Sequence, residues 1–120
     1  MCILSDKDIC QKISDDEIKI EPFDVKDIQP SSVDLRLGNE FLVFDKNRPF
    51  VVSSLMRDGD MDSFSISDGD PFFVFPGQFY LGTTNERITL PNNLVGRIEG
   101  RSLIGRLGIT VHITAGFIDP

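Results

Sequence analysis

The chain has 120 residues, a formal net charge of −7 and no tryptophan. This length predicts a single domain with a modest core. The negative charge argues against a nucleic-acid-binding surface, because polyanion-binding domains carry an excess of lysine and arginine. Ten phenylalanines against one tyrosine favour an apolar core over a surface that stacks sugars or bases.

The cysteine pattern and the hydropathy predict a soluble, cytoplasmic protein. Cys2 and Cys10 stand outside any Cys-x-x-Cys pair, and two cysteines without a signal peptide are typical of free thiols in a reducing compartment. No stretch approaches the 18 apolar residues that a transmembrane helix needs. We therefore expect no membrane partner.

The first elements are a short helix and a hairpin. Ser5 followed by Asp8 is typical of a capped helix start, and the spacing of Ile9 and Ile13 predicts an amphipathic helix from Ser5 to about Ser14. Alternating apolar residues at 33–37 predict a strand, Gly38-Asn39 a turn, and residues 40–44 the second strand of the hairpin.

The remainder of the chain predicts more β-structure. Strands are expected at about 64–66, 72–75, 79–83, 86–90 and 94–99, and an exposed loop at 57–62. Within Ser102–Leu107 the apolar residues are spaced for one helical turn, which interrupts the pattern of strands. Ile109–Thr114 is β-branched and predicts a return to strand. Many short strands with close turn signals indicate a β-sandwich or β-barrel.

The charge is divided unevenly along the chain. Residues 1–70 hold sixteen acidic and eight basic residues, whereas residues 71–120 hold three acidic residues and four arginines. Arg101 and Arg106 lie in the glycine-rich run Gly100–Gly108, where forked guanidinium donors and accessible backbone N–H groups suit phosphate. The turn at Ser102–Leu107 would direct backbone donors at the same anion. This run therefore predicts a nucleotide site, with Asp119 facing the sugar or base; Asp119 is alternatively a turn residue before Pro120.

Metal and covalent catalysis find little support in the sequence. His112 is the single histidine and lies in an alternating apolar stretch, which favours packing over catalysis. The patterns of zinc deaminases and of structural zinc sites are absent, so we expect no zinc and no protein metal site. Mg²⁺ carried by ligand phosphates needs few protein ligands and is the favoured metal. Ser102 lacks an obvious base partner and is interpreted as a hydrogen-bond donor to phosphate or water.

Several segments in order resemble the dCTP deaminase family, the zinc-independent deaminases related to trimeric dUTP pyrophosphatase. The segments that carry the resemblance are Ile3–Asp6, Gln29–Leu37, Pro76–Phe79, Leu81–Thr84, Leu90–Asn92, Gly96–Ser102 and Thr114–Pro120. The resemblance implies a mainly β fold, a distorted β-barrel or jelly-roll with a short N-terminal helix. It also implies a homotrimer with shared active sites, dCTP and dUTP as small-molecule substrates, and no nucleic-acid partner.

The resemblance also assigns site residues. The segment Arg101, Ser102, Leu103, Ile104, Gly105 and Arg106 corresponds to the one that holds the triphosphate and the catalytic water. Within it, Ser102 and Arg106 correspond to the catalytic residues that polarise the water and the base. The backbone near Ala115 corresponds to part of the pocket lining, and Asp119 corresponds to the residue that contacts the deoxyribose and pyrimidine.

Two further positions separate branches of the family. Gly116-Phe117 resembles the bifunctional branch, which deaminates dCTP and removes pyrophosphate to give dUMP.

Leu103 stands where the family usually has a second serine, and a lost charge-assisted hydrogen bond of ~1.5–3 kcal/mol corresponds to roughly ten- to a hundredfold in affinity.

The resemblance places the catalytic glutamate shortly beyond the position of Pro120. We therefore expect residues 1–120 to be a single nucleotide-hydrolase β-domain that is incomplete at its C-terminus. The predicted function is dCTP deamination coupled to pyrophosphate release, giving dUMP with Mg²⁺ on the triphosphate. A deaminase that stops at dUTP, a dUTP pyrophosphatase and a non-catalytic nucleotide-binding module are the alternatives.

Overall fold

The computed structural model describes residues 2–44, 61–67 and 69–120. In chain order the elements are helix α1 (Asp6–Ser14), strands β1 (Lys19–Glu21), β2 (Ile28–Gln29), β3 (Ser32–Val33), β4 (Leu37–Phe44), β5 (Met61–Ser65), β6 (Tyr80–Thr84), β7 (Arg87–Thr89) and β8 (Gly96–Arg97), helix α2 (Ser102–Arg106) and strand β9 (Phe117–Ile118). A 3₁₀ turn at Val25–Asp27 precedes β2. The chain forms two compact units, one of residues 1–34 with 86–120 and one of residues 35–85.

Helix α1 begins and ends with complete backbone caps. At its start the Ser5 side chain accepts a hydrogen bond from the Asp8 N–H, and the Asp8 carboxylate accepts one from the Ser5 N–H. This reciprocal capping box satisfies two donors that a helix start leaves free. At its end Asp16 adopts a left-handed φ of 61°, and the N–H groups of Asp16 and Glu17 donate to the carbonyls of Ile13 and Lys12. The sequence prediction of this helix is confirmed.

The first unit holds three two-stranded antiparallel pairs. Strand β1 pairs with β7, with Ile20 opposite Ile88. Strand β2 pairs with β3, and β8 pairs with β9. Ile9, Ile18 and Ile20 are the buried apolar side chains described in this unit. The buried apolar residues of this unit therefore lie in helix α1, in strand β1 and in the link between them, and no residue from 98 onward is buried.

The second unit is a three-stranded antiparallel sheet in the order β5–β4–β6. Phe41 on the central strand is 4% exposed, and its ring stacks on Phe72 at a centroid distance of 3.9 Å. Phe72 in turn meets the edge of Tyr80 at 5.2 Å. These rings form the apolar centre of this unit.

The fold is mainly β with two short α-helices, as the sequence indicated in outline. The described residues form small separate sheets and no closed barrel. The prediction of a turn at Gly38-Asn39 is wrong, because β4 continues through both residues with an irregular register between Leu37 and Phe41. A Cβ at Gly38 would lie 3.1 Å from the Thr83 carbonyl oxygen, so the glycine allows close approach of β6 within the sheet.

Two further predicted strands are absent from the described residues. Residues 72–75 and Ile109–Thr114 are irregular, and Phe73, Val111 and Ile113 are exposed. Both segments have the apolar and β-branched composition of strands. Neither pairs with another segment in the described part of the chain, and a strand is defined by backbone pairing. In the predicted loop 57–62, residues 57–60 lie outside the described residues, and Met61 and Asp62 belong to β5.

Within the described ranges, neither helix is long and apolar enough to cross a bilayer.

Candidate functional site

Helix α2 is the one helical turn that the sequence predicted between 102 and 107. Arg101 is its N-cap in extended conformation and makes no side-chain capping hydrogen bond. At the other end Gly108 takes a φ of +78°, and the N–H groups of Gly108 and Ile109 donate to the carbonyls of Gly105 and Ile104. This is the Schellman pattern, for which glycine is favoured because it has no Cβ. The helix is thus closed at its C-terminus and open at its N-terminus.

The predicted triphosphate-binding residues lie on the surface of α2. Arg101, Ser102, Gly105 and Arg106 are exposed, and Leu103 is 67% exposed. Ile104 is half-buried. None of the α2 side chains belongs to the described core, so this turn is held by its backbone and leaves its polar groups accessible to a ligand.

The arginines of this region differ in their partners. The Arg97 Nε lies 2.6 Å from Glu99 Oε1, and the Arg101 Nη2 lies 3.5 Å from Asp34 Oδ2. Across residues 2–44, 61–67 and 69–120, Arg106 has no ion-pair partner. An exposed, uncompensated guanidinium offers forked donors to phosphate or carboxylate. Among Arg97, Arg101 and Arg106, the last is therefore the strongest anion-binding candidate.

The β8–β9 pair brings the second predicted segment next to the strand that leads into α2. Gly96 pairs with Ile118 and Arg97 with Phe117. The Ile98 N–H also donates to the Gly116 carbonyl over 2.7 Å. The structure thus places Ala115–Asp119 beside residues 96–98, within one unit. Asp119 is exposed at the end of β9, and in the described part of the chain its carboxylate makes no hydrogen bond or ion pair to α2.

His112 packs on the backbone of Gly116. A Cβ placed at Gly116 would lie 2.9 Å from His112 Cε1, so a larger residue there would require the imidazole ring to move. The neighbouring Ala115 is held at a left-handed φ of 54°. His112 Nδ1 is buried without a hydrogen-bond partner among the described groups. This environment agrees with the packing role that the sequence favoured for His112.

Asp34 contacts a residue of the predicted site, Arg101, but was not itself predicted to belong to the site. It lies in the segment Gln29–Leu37, and its ion-pair partner is Arg101, far along the chain. The signal that could have found it is its place in the motif segment Gln29–Leu37. A local pattern cannot name a partner 67 positions away (34 to 101).

Groups that could bind a metal or undergo redox chemistry are scarce in the region described. Among the described residues, no group of three or more His, Cys, Asp or Glu side chains is arranged to hold a metal ion. Cys2 is exposed and Cys10 half-buried, and both are free thiols. The chemistry on offer in α2 is therefore that of guanidinium, hydroxyl and backbone N–H donors.

Comparison with known proteins identifies the class. Residues 3–120 match the family model described as dCTP deaminase-like. The chain belongs to the dCTP deaminase-like family, as the sequence motifs indicated.

Three of the similar proteins share one description. The "dCTP deaminase, dUMP-forming" of Methanothermobacter thermautotrophicus is 51% identical over 130 residues, which cover 100% of this chain and 63% of the relative. Proteins of the same description from Dictyoglomus turgidum and Mycolicibacterium vanbaalenii are 51% and 48% identical, and each alignment covers 98% of this chain and 63% of the relative. The chain thus spans 63% of the length of these curated relatives.

Proposed function

We propose that this protein deaminates dCTP and releases pyrophosphate to form dUMP, with residues 1–120 carrying the triphosphate-binding segment. Water adds to cytosine C4 and ammonia leaves, giving dUTP. A second water then attacks the α-phosphate, giving dUMP and pyrophosphate. The observation that carries the proposal is that Arg106 is exposed and has no ion-pair partner in the described chain. It lies on a helical turn within residues 3–120, which match the dCTP deaminase-like family model.

Triphosphate binding is assigned to Arg101–Arg106. The two guanidinium groups neutralise phosphate charge, and the first-turn N–H groups of α2 are unpaired within the helix and donate to phosphate oxygens. Ile104 and Gly105 contribute backbone. Leu103 contributes no hydroxyl, so the backbone and the arginines carry a larger share of the affinity.

The deamination step is assigned to Ser102 and Arg106 together with a carboxylate general base. Ser102 and Arg106 orient the attacking water and polarise the reacting base. The general base is the family glutamate, expected after the position of Pro120. Ala115 and Asp119 contact the nucleoside, a role supported by the β8–β9 pairing that places their segment beside the strand leading to α2.

The second step, pyrophosphate release, is proposed because the pair Gly116-Phe117 resembles the bifunctional branch of the family. The donor set of α2 is cationic, which fits a metal that arrives on the phosphates rather than one held by the protein. Mg²⁺ on the triphosphate supplies charge neutralisation when pyrophosphate leaves. The His112 ring packs on Gly116 of this pair.

A distorted β-barrel or jelly-roll and a homotrimer with shared sites complete the proposal. Apolar side chains that are 51–76% exposed follow α2 and extend to β9, namely those of Leu107, Val111, Ile113 and Phe117. Exposed apolar side chains that cluster on a surface are typical of an interface, and these four exposed residues within eleven positions support assembly through this region. We further propose one domain and a cytoplasmic location, consistent with the free thiols.

The activity is tested by product analysis of the natural full-length protein with dCTP and Mg²⁺. We expect dUMP and pyrophosphate, with ammonia in equal amount. Accumulation of dUTP without dUMP would identify a deaminase-only enzyme, and turnover of dUTP without dCTP a pyrophosphatase. Nucleotide binding without turnover would identify a binding module. The isolated 120-residue chain is expected to bind nucleotide without deaminating it, and robust deamination by that chain would contradict the assignment of the base.

Assembly is tested by replacing an exposed apolar residue with a charge. Ile113 is 76% exposed and Ile3 is 78% exposed, which makes Ile3→Asp a matched control for Ile113→Asp. We expect Ile113→Asp to shift the sedimentation coefficient from trimer to monomer and Ile3→Asp to leave it unchanged. A trimer that tolerates Ile113→Asp would remove residues 107–117 from the proposed interface.

A further inference from the structure

The ion pair between Asp34 and Arg101 joins groups of different accessibility. Asp34 Oδ2 lies 3.5 Å from the Arg101 Nη2, and the Asp34 side chain is 28% exposed while that of Arg101 is 73% exposed. The carboxylate is thus the sheltered member, and the guanidinium extends into solvent beside the open start of α2.

The backbone around Asp34 is held in place from two sides. Its N–H donates to the Asp27 carbonyl over 2.8 Å, directly after the short hairpin of β2 and β3. The Asp6 N–H at the start of α1 donates to the Pro30 carbonyl in the hairpin turn, over 3.0 Å. Asp34 is therefore a fixed point, whereas the Arg101 side chain has four rotatable bonds and a large conformational entropy to lose on binding.

We propose that Asp34 is a positioning residue that holds the Arg101 guanidinium ready for the phosphates of the nucleotide. This inference rests on the proposed role of Arg101 in triphosphate binding. Only one Arg101 nitrogen contacts the carboxylate, and a guanidinium has five N–H donors. The remaining donors stay available to a phosphate. An arginine restrained before binding loses less entropy when the ligand arrives, which increases affinity.

The same carboxylate also repels a phosphate, and the balance of the two effects decides its role. The repulsion acts across an exposed guanidinium in water, where charges are strongly screened. The restraint acts on Arg101 directly. We therefore assign Asp34 a net favourable effect on binding.

The test measures binding of α,β-imido-dUTP with Mg²⁺ by isothermal titration to the natural full-length protein. This nucleotide is already deaminated and has a nitrogen bridge between its α- and β-phosphates, so it is not turned over. We expect Arg101→Ala to weaken binding about tenfold or more and Asp34→Ala to weaken it about fivefold. Asp34→Asn keeps a side-chain oxygen to which the guanidinium can donate a hydrogen bond, so it should restore the affinity to within about twofold of wild type.

Glu99→Ala is the matched control, because Glu99 pairs with Arg97 at 2.6 Å in the strand region before α2. It removes an acidic partner of an arginine outside the proposed site and should leave the affinity unchanged. In the Arg101→Ala background, Asp34→Ala should have no further effect, since the residue that it positions is gone. Melting temperatures of all variants monitor the fold.

Three results would overturn the inference: an unchanged or tighter affinity in Asp34→Ala, a loss that Asp34→Asn does not restore, or a full additional loss in the double variant. The last would assign Asp34 a role independent of Arg101. An unchanged affinity in Arg101→Ala alone is a different failure, because it removes Arg101 from the proposed phosphate site itself.

Discussion

Helices α1 and α2 end in the same way and begin in opposite ways. Both close with a residue in the left-handed region, Asp16 in one and Gly108 in the other, and with the same pair of backbone hydrogen bonds. At the start of α1 the capping box of Ser5 and Asp8 occupies the free donors, and Ile9 is buried. At the start of α2 Arg101 provides no cap, and no residue of the helix is buried. The first helix uses its polar groups to stabilise the fold, and the second leaves them exposed and without a capping hydrogen bond.

The contrast between the starts of α1 and α2 is tested most strongly by removing the charge of Arg106, which has no ion-pair partner in the described chain. Arg106→Ala should weaken binding of α,β-imido-dUTP by about ten- to a hundredfold, because a charge-assisted hydrogen bond contributes about 1.5–3 kcal/mol. Isothermal titration measures this. Arg87→Ala on β7 removes the same charge from an exposed position outside the site and should leave the affinity unchanged. Equal affinities of the Arg106 and Arg87 variants would contradict the assignment of α2.

A side chain at position 116 should destabilise the protein, because it would displace the His112 ring. Gly116→Ala places a Cβ 2.9 Å from His112 Cε1, and such overpacking typically costs about 1–3 kcal/mol of unfolding free energy. Urea unfolding measures the loss. Gly105→Ala in α2 meets nothing within 4 Å, so it should be neutral or stabilising by about 0.5–1 kcal/mol. A second change, His112→Ala, should recover part of the loss in Gly116→Ala, and the absence of any recovery would contradict the steric explanation.

Two serine substitutions separate the two helices. Ser5→Ala should lower the free energy of unfolding by about 0.5–2 kcal/mol, because it removes the cap of α1. Ser102→Ala should leave stability within about 0.5 kcal/mol of wild type and should slow turnover of dCTP. Unfolding curves and initial rates are measured on the same preparations. Ser102→Ala destabilising the protein as much as Ser5→Ala would show that α2 also depends on its polar groups for folding.

The smallest effect is a pH dependence at α1. Hydrogen bonds from the Ser5 hydroxyl and N–H hold the pKa of Asp8 below its ordinary value of 3.8. The ionised form is therefore favoured in the folded state, so Asp8 stabilises the protein above its unfolded pKa. That contribution falls as pH drops below about 5 and disappears below the folded pKa.

Asp8→Asn should accordingly be less stable than wild type at pH 7, and the difference should shrink at pH 3. Asp70→Asn, an exposed acid without a side-chain hydrogen bond in the described chain, is the control and should show no such trend. A wild-type advantage that is the same at both pH values would contradict the capping explanation.

What the sequence could predict was local. Helix α1 follows from Ser5, Asp8 and Ile9 within five positions, and the turn of α2 from the spacing of Leu103, Ile104 and Leu107. Both depend on contacts within a few residues, which sequence patterns record directly.

What the sequence could not predict depends on partners that are distant along the chain. Gly38 was interpreted as a turn because glycine favours turns, whereas its reason is the approach of Thr83 on β6. Ile109–Thr114 has the composition of a strand, but no described segment pairs with it. The partner of Asp34 is Arg101, which nothing at positions 29–37 specifies.

The most direct measurement is a crystal structure of the natural full-length protein with α,β-imido-dUTP and Mg²⁺. The account predicts phosphate oxygens within hydrogen-bond distance of the Arg106 and Arg101 guanidinium groups and of the α2 backbone, with Asp34 still paired to Arg101. A nucleotide bound elsewhere, with Arg106 facing bulk solvent, would contradict it.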